Sequence, residues 1–234
     1  MKTTITLMMT LCILLQTTSA LADEDFREFN VLAGLQSTLV QDGTFGFFSD
    51  EDWISNGRLA AEIELWNELF IQVGISKATV ESYLFSNYDT KLQISEPHLG
   101  FRYGYTFLDA LRPYVSAMAT YTMTKATMDI FNGQRMGQTN SWDEGLWGGR
   151  FALGLEGFFP RWVFRRDAGF FKDWTIGGGL EFGYVLRQEL ELDHLKQGKN
   201  GNLSKKPPLP AGNLDLGKLD LSGFYFAIDF RMYF

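Results

Sequence analysis

The sequence predicts an all-β fold in which eight antiparallel strands close into an up-and-down barrel that crosses a membrane. Three observations predict it. Residues 224–234 alternate large apolar side chains with a set that includes Ala, Asp and Arg, which is the period of a strand with two different faces. The aromatic content is 15%, although 21% of the residues are charged. Beyond the N-terminal segment, no apolar stretch reaches the roughly 18 residues of a membrane-spanning helix, so strands would have to cross the bilayer.

Residues 1–22 are predicted to be a cleaved signal peptide. Lys2 gives a positive start, an apolar run covers residues 5–15, and residues 20–22 read Ala-Leu-Ala, the small-x-small form of a cleavage site. The apolar run is too short to span a bilayer as a helix. The mature chain, residues 23–234, is therefore expected to be a single exported domain, the outer-membrane β-barrel domain if the strands do cross a membrane.

The composition limits the kinds of partner and chemistry. The chain has 21 basic and 28 acidic residues, a net charge of −7, which argues against nucleic acid as a partner. Cys12 is the single cysteine and lies in the removed segment, so no disulfide or thiolate chemistry is expected. Two histidines without a cysteine make a poor first coordination shell, so no metal and no cofactor are predicted.

The first four strands alternate in hydrophobicity and are separated by turn residues. They are predicted at residues 29–38, 58–66, 69–85 and 91–107. A tight turn at Asn67-Glu68 joins the second and third strands. In the fourth strand, Leu92 and Ile94 have the opposite parity to the apolar residues that follow. A bulge at Pro97, which cannot donate to the ladder, is predicted to restore the apolar face.

The last four strands are predicted at residues 112–128, 146–159, 174–188 and 224–234. The fifth is irregular because Tyr114 and Met118 oppose the face of Val115 and Ala117. The eighth is expected to pair with the first, which would close the barrel and remove its open edges.

The connections alternate between short and long. Those at residues 40–57, 129–145 and 189–221 are long, whereas those after the second and fourth strands are short. Outer-membrane barrels have this alternation of short periplasmic turns and long extracellular loops. Residues 160–173 break the rule. They are interpreted as an interfacial segment of cations and aromatics, and the alternative is two more strands of a ten-stranded barrel.

The face opposite the apolar one would line the lumen, and it carries both signs of charge. An eight-stranded barrel is just wide enough for side chains to fill it, so buried ions there must pair. The predicted lumen charge cluster lies towards the periplasmic end and consists of Glu62, Glu64, Arg102, Glu156, Glu181, Asp229 and Arg231. Arg150 and Arg187 are expected nearer the outer end. The many inward glycines leave room for long side chains, or alternatively for a thin water channel.

A signal peptide together with a terminal strand that ends on an aromatic residue resembles the small bacterial outer-membrane barrels of the OmpA/OmpX type, with OmpW-like barrels as the alternative. The resemblance covers the mature chain as a pattern of strands. It implies the cell outer membrane as location, a monomer, and contact with outer-membrane lipids and lipopolysaccharide. It also implies that Phe230, Met232 and Phe234 act as an assembly signal for the outer-membrane assembly machinery.

Within that class, a structural or surface-interaction role is predicted, with long extracellular loops and a filled lumen. A narrow channel for small or apolar solutes is the first alternative. A lipid-modifying enzyme is the second, but neither His98 nor His194 has a recognised nucleophile motif nearby. The chain is therefore predicted not to be an enzyme and to have no catalytic residues. The lysines of the 189–221 loop form either a partner surface or a mobile, solvated loop.

Overall fold

The computed structural model describes residues 28–84, 88–106, 111–132, 135–159, 175–192, 196–197 and 217–234. The predicted signal peptide, the segment 160–173 and His194 lie outside the described residues. Within them, no helix is long and apolar enough to span a membrane.

Eight long strands form the wall of the barrel. They are β1 (Phe29–Val40), β2 (Trp53–Trp66), β3 (Leu69–Leu84), β4 (Tyr88–Gly104), β5 (Leu111–Asn132), β6 (Arg135–Phe158), β7 (Thr175–Arg187) and β11 (Gly223–Tyr233). A 3₁₀ helix, Gly43–Phe47, lies between β1 and β2. Three two-residue strands, β8 (Leu190–Glu191), β9 (Lys196–Gln197) and β10 (Lys218–Leu219), lie between β7 and β11.

The eight strands close on themselves. Each pairs antiparallel with the next along the chain, and β11 pairs with β1 from Asn30 opposite Tyr233 to Val40 opposite Gly223. A path of paired residues that starts at Asn30 and passes once round the wall returns to β1 at Val40, ten residues further along. Such a stagger tilts the strands against the barrel axis. The predicted eight-stranded, antiparallel, up-and-down barrel is confirmed.

The two ends of the barrel differ in their connections. One end holds Phe29 and Phe234 and is called the terminal end. The opposite end, called the loop end, holds the 3₁₀ helix and the short strands β8 to β10. The predicted tight turn lies at the terminal end. Asn67 and Glu68 both have positive φ, 39° and 65°, as a type I′ hairpin turn requires of its two central residues.

The outward face of the membrane section is apolar. Leu35 and Trp66 are each 72% exposed, although a soluble protein would bury most side chains of this kind. The exposed apolar residues of this face are Leu35, Leu59, Val73, Leu99, Phe101, Val115, Phe151, Leu153, Leu155, Leu180, Phe182, Ile228 and Phe230. Aromatic residues border this belt at both ends: Trp66, Tyr103, Tyr105 and Phe159 at the terminal end, and Trp53, Tyr121 and Trp147 towards the loop end. A closed barrel with an apolar belt between two aromatic borders is an outer-membrane protein.

Two of the predictions about the strands are wrong. Ser95 and His98 pair with Met123 and Thr120 in one unbroken register, so there is no bulge at Pro97. The predicted loop at residues 129–145 is instead strand, since β5 and β6 pair out to Asn132 and Arg135 with one register shift between Ile130 and Phe131. β2 also begins at Trp53, inside the predicted loop 40–57.

Apolar side chains fill the interior at the loop end, and this explains the parity problem. Leu92 and Ile94 point inward and are buried. They belong to a cluster, called here the outer apolar core, that consists of Val40, Phe45, Phe48, Ile54, Ala78, Leu92, Ile94, Ala126, Met128, Leu146, Leu190, Leu192, Leu219 and Leu221. The strands contribute part of this core, and the connections at the loop end contribute the rest. Tyr114 and Met118 also point inward and are buried, so β5 is regular.

Candidate functional site

The interior of the membrane section contains a network of ionised side chains. It is called here the charged cluster and consists of Arg58, Glu62, Arg102, Glu156, Glu181, Asp229 and Arg231. All seven are buried. Five strands, β2, β4, β6, β7 and β11, contribute these residues, because inward positions recur at every second residue of a strand. The cluster therefore joins opposite sides of the wall.

Two arginines and two glutamates form the tier nearest the terminal end. Arg102 donates to Glu62 at 2.7 Å and to Glu156 at 2.9 Å. Arg231 donates to the same two carboxylates, at 3.3 Å each. Each carboxylate is thus shared by two guanidinium groups, which provides the compensation that buried charges need.

A second tier lies further into the barrel and is linked to the first. Arg58 donates to Glu181 at 2.8 Å and to Asp229 at 2.6 Å. Asp229 also accepts from Arg231 at 3.4 Å, so one continuous network runs from Glu62 to Glu181.

Two tyrosines complete the contacts of the second tier. The Tyr114 hydroxyl donates to Glu181 at 3.0 Å and accepts from Arg231 at 3.0 Å. The Tyr225 hydroxyl donates to Glu181 at 2.7 Å. Both rings lie against inward glycines, because a Cβ on Gly154 would overlap the Tyr114 ring and a Cβ on Gly183 would overlap the Tyr225 ring. These glycines make room for the polar aromatic side chains that hold Glu181.

The terminal end of the lumen is covered by Arg112 and its contacts. Arg112 donates to Glu28 at 3.0 Å and to the Thr106 hydroxyl at 3.1 Å. Its guanidinium also lies over the Phe70 and Phe158 rings, at 5.3 Å and 4.9 Å from their centroids. Arg112 also lies 3.7 Å from the Glu156 carboxylate, so this layer adjoins the charged cluster and covers it at the terminal end.

A layer of polar side chains lies between the charged cluster and the loop end. Arg150 is fully buried, donates to the Gln36 amide oxygen at 3.0 Å and contacts the Met118 sulfur. No carboxylate of the described residues lies within 4.0 Å of its guanidinium. His98 contacts Gln72 at 3.4 Å. Buried atoms without a partner among the described residues occur in this layer and in the charged cluster. Those in this layer are on Asn56, Gln72, Ser76, His98, Thr120 and Arg150.

Above this layer a last ion pair meets the outer apolar core. Arg187 donates to Glu96 at 2.7 Å, and the same carboxylate accepts from the Thr122 hydroxyl at 2.7 Å. Arg187 also donates to the carbonyl oxygen of Leu221, a member of the outer apolar core. From the terminal end to the loop end, the lumen thus contains the charged cluster, the polar layer, this ion pair and finally the outer apolar core.

The structure brings six of the seven residues proposed for the lumen charge cluster into one network. The seventh, Glu64, lies at the rim of the terminal end and accepts from the Glu68 backbone N–H at 2.8 Å. Arg58 was missed although it has the parity of Glu62. Glu96 was missed because the predicted bulge at Pro97 would have reversed its direction.

The alternative of a lipid-modifying enzyme would rest on a histidine near the lipid. His98 is instead buried inside the lumen and faces Gln72, away from the apolar belt. Within the part of the chain that the structure describes, no group of three or more metal-ligating side chains converges on one point. His98 is therefore placed in the lumen and not at the lipid-facing surface.

No protein-family model and no curated protein matches this chain. Among solved structures, it is similar to the outer membrane protein OprG from Pseudomonas aeruginosa, with 12% identity over 88% of this chain and 95% of that one and a TM-score of 0.48. It is also similar to Ail of Yersinia pestis, with 12% identity over 89% and 99% of the two chains and a TM-score of 0.43. Neisserial surface protein A gives 11% identity, 88% and 94% coverage, and a TM-score of 0.37.

Proposed function

We propose that this protein is a non-conducting outer-membrane barrel with a structural or surface-interaction role, and that it is not an enzyme. The observation that carries the proposal is the continuous filling of the lumen. Arg102, Arg150 and Arg231 carry charge and point into the lumen, and each of them is 0% exposed. A solute that crossed would have to separate the ion pairs of Arg102 and Arg231 and displace Arg150 from Gln36.

The outer apolar core adds a second barrier. A hydrated ion would have to lose its water to pass between Leu92, Leu146 and Leu221, and an unpaired charge in such surroundings costs several kcal/mol or more.

The surface role rests on the β5–β6 hairpin. Tyr121 and Trp147 pair across β5 and β6 at the border of the apolar belt, and the hairpin continues from Tyr121 to Asn132. Eleven residues of strand extend roughly 36 Å along the strand direction. Beyond the border the outward side chains change to polar and charged residues such as Lys125 and Asp143. A paired projection of this length presents a defined surface to the cell exterior.

Electrical recording tests the proposal. Purified protein refolded from the mature sequence is incorporated into planar lipid bilayers, with a general porin as positive control for the assay and protection from protease as the check on insertion. We expect no steady conductance. Long-lived openings in proportion to the inserted protein would contradict the sealed lumen and would favour the narrow-channel alternative.

We also propose that the barrel works as a monomer and that its last strand is read during assembly. Phe230, Met232 and Phe234 lie on one face of the end of the chain, and the Phe234 backbone N–H donates to the Phe29 carbonyl oxygen at 2.9 Å. Deletion of Phe234 is expected to lower the yield of folded protein in cells while refolding in detergent still succeeds. An equal loss in both settings would mean that Phe234 acts on stability and not on recognition by the assembly machinery.

A further inference from the structure

Two connections meet over the mouth of the barrel at the loop end. The first joins β1 to β2 and contains the 3₁₀ helix, and the last joins β7 to β11 and contains β8 and β10. Together they supply the part of the outer apolar core that does not come from the barrel strands, namely Phe45, Phe48, Leu190, Leu192, Leu219 and Leu221. The segments 42–48 and 218–222, which contact each other through the 3₁₀ helix and β10, are called the lid.

Asp42 makes hydrogen bonds to both segments of the lid. It is the N-cap residue of the 3₁₀ helix, and its Oδ1 accepts from the Thr44 backbone N–H at 2.7 Å. Its Oδ2 accepts from the Asp220 backbone N–H, also at 2.7 Å. The two oxygens of one carboxylate thus contact segments that are 178 residues apart in the sequence. Hydrogen bonds to an ionised acceptor are stronger than those between neutral groups.

The second segment is attached to the barrel on its other side. The Arg187 backbone N–H donates to the Ser222 hydroxyl at 2.8 Å, and the Arg187 guanidinium donates to the Leu221 carbonyl oxygen. β10 also pairs with β8, with Leu219 opposite Leu190. Residues 218–222 therefore lie between β7, which ends the barrel wall, and Asp42, which belongs to the first connection.

We propose that Asp42 couples the two segments into one lid that opens and closes as a single unit. Apolar burial packs the segments together but is non-directional, so it does not by itself fix one segment to the other. The hydrogen bond from Asp220 to Asp42 adds that fixed contact. Closed, the lid covers the ion pair of Arg187 and Glu96. The coupling is independent of the proposed role of the barrel, because it concerns only how the loop end closes.

Asp42→Asn separates the two contacts of this side chain. Asparagine still caps the 3₁₀ helix through its side-chain oxygen, but its amide nitrogen cannot accept from the Asp220 N–H. Amide hydrogen exchange is followed residue by residue by NMR in detergent micelles, on the hydrogen-bonded amides of Phe48 and Ser222. In wild type the two amides should have the same protection factor, because one opening exposes both.

In Asp42→Asn, the Ser222 amide should exchange at least about tenfold faster than the Phe48 amide, the change expected from the loss of one hydrogen bond to a charged group. The matched control is Asp50→Asn. It removes the same charge from the same connection, and Asp50 accepts from the Ser82 hydroxyl at 3.1 Å. The control should leave the two protection factors equal. Asp42→Ser keeps a capping oxygen without the second acceptor and should behave as Asp42→Asn does.

A second arm tests whether the coupling passes through Asp42. Leu219→Ala weakens the packing of the second segment, and in the wild-type background it should also lower the protection of Phe48. In the Asp42→Asn background it should lower the protection of residues 218–222 alone.

Equal protection of Phe48 and Ser222 in both Asp42 variants would overturn the proposal. The same holds if Leu219→Ala lowers the protection of Phe48 equally in the two backgrounds, since the apolar contacts would then carry the coupling. Heat-dependent gel mobility of each variant reports separately on the barrel, so a failure of the fold is distinguishable from a loss of coupling.

Discussion

The membrane section and the loop end of this barrel have opposite patterns within the same strands. In the membrane section of β4, Leu99 and Phe101 point outward to lipid, and Arg102 points inward to carboxylates. Towards the loop end of the same strand, Leu92 and Ile94 point inward and Lys91 points outward. The inward face is thus polar where the outside is lipid and apolar where the outside is water. A strand inverts its pattern where it leaves the membrane.

The two sections also differ in what holds them. The charged cluster is stabilised by ion pairs, and the barrel wall shields these pairs from water. The loss of one partner therefore leaves a buried charge uncompensated. The outer apolar core is stabilised by burial, as in a soluble protein, and each side chain contributes in proportion to the area it removes from water. Substitutions in the two sections should therefore differ in how much they lower the free energy of unfolding. They should also differ in how far from the substituted residue the structure is disturbed.

The largest effect is expected from Arg231→Met. Methionine keeps much of the length of the side chain but leaves Glu62 with Arg102 alone and Asp229 with Arg58 alone, and breaking a buried pair costs about 3–5 kcal/mol. The free energy of unfolding is measured by urea titration in lipid vesicles. Because Glu62 then lacks part of its compensation, Arg231→Met/Glu62→Gln should lose less than the sum of the two single variants. Additive losses would mean that the two residues are not coupled.

The next effect, Leu92→Ala, should be confined to the loop end. Leu92 is fully buried in the outer apolar core, and the deletion of a buried leucine costs about 2–5 kcal/mol. Limited proteolysis should cut the connections at the loop end faster, while heat-dependent gel mobility reports an intact barrel. Gln93→Ala, on the outward face beside it, is the control and should leave proteolysis unchanged. A barrel that unfolds as a whole would mean that the two sections form one cooperative unit.

The inverted pattern also explains which features could be predicted from the sequence. Alternation located all eight barrel strands, because apolar and polar residues separate cleanly within the membrane section. The same rule failed at Leu92 and Ile94, where a bulge at Pro97 was inferred in place of an inversion. It failed again between Asp129 and Gly145, where the described outward residues Asp129, Ser141 and Asp143 are polar and the segment was therefore taken for a loop.

For the site, parity alone identified most of the charged cluster. Glu62, Arg102, Glu156, Glu181, Asp229 and Arg231 all oppose apolar residues of the belt. The pairing of Arg58 with both Glu181 and Asp229 could not be predicted, because it joins residues 123 and 171 positions apart and depends on the stagger of the strands. Glu96 was not identified, because the inferred bulge at Pro97 would have turned its side chain outward. The residues of the cluster can be recognised in the sequence, but the strand register that brings them together cannot.

A smaller effect is expected where a glycine makes room in the charged section. A Cβ at Gly154 would overlap the ring of Tyr114, so Gly154→Ala should cost about 1–3 kcal/mol by overpacking. Gly149, on the outward face of the same strand, is the matched control. Its Cβ would have its nearest neighbours at 3.7 Å, so Gly149→Ala should be neutral or slightly stabilising. Equal losses for the two variants, measured by the same urea titration, would contradict the close approach of Tyr114.

The smallest effect should come from Tyr225→Phe. The substitution keeps the buried ring and removes one hydroxyl that donates to Glu181 at 2.7 Å, while Arg58 and Tyr114 still contact that carboxylate. Hydrogen bonds to a charged group contribute about 1.5–3 kcal/mol, and the remaining partners should keep the loss near the lower value. Tyr103→Phe is the control, since Tyr103 lies on the exposed face of the belt. The free energy of unfolding could instead fall as much for Tyr225→Phe as for Arg231→Met. That result would mean that Glu181 depends on its hydroxyl partners more than on Arg58. The charged cluster would then be stabilised mainly by contacts other than its ion pairs.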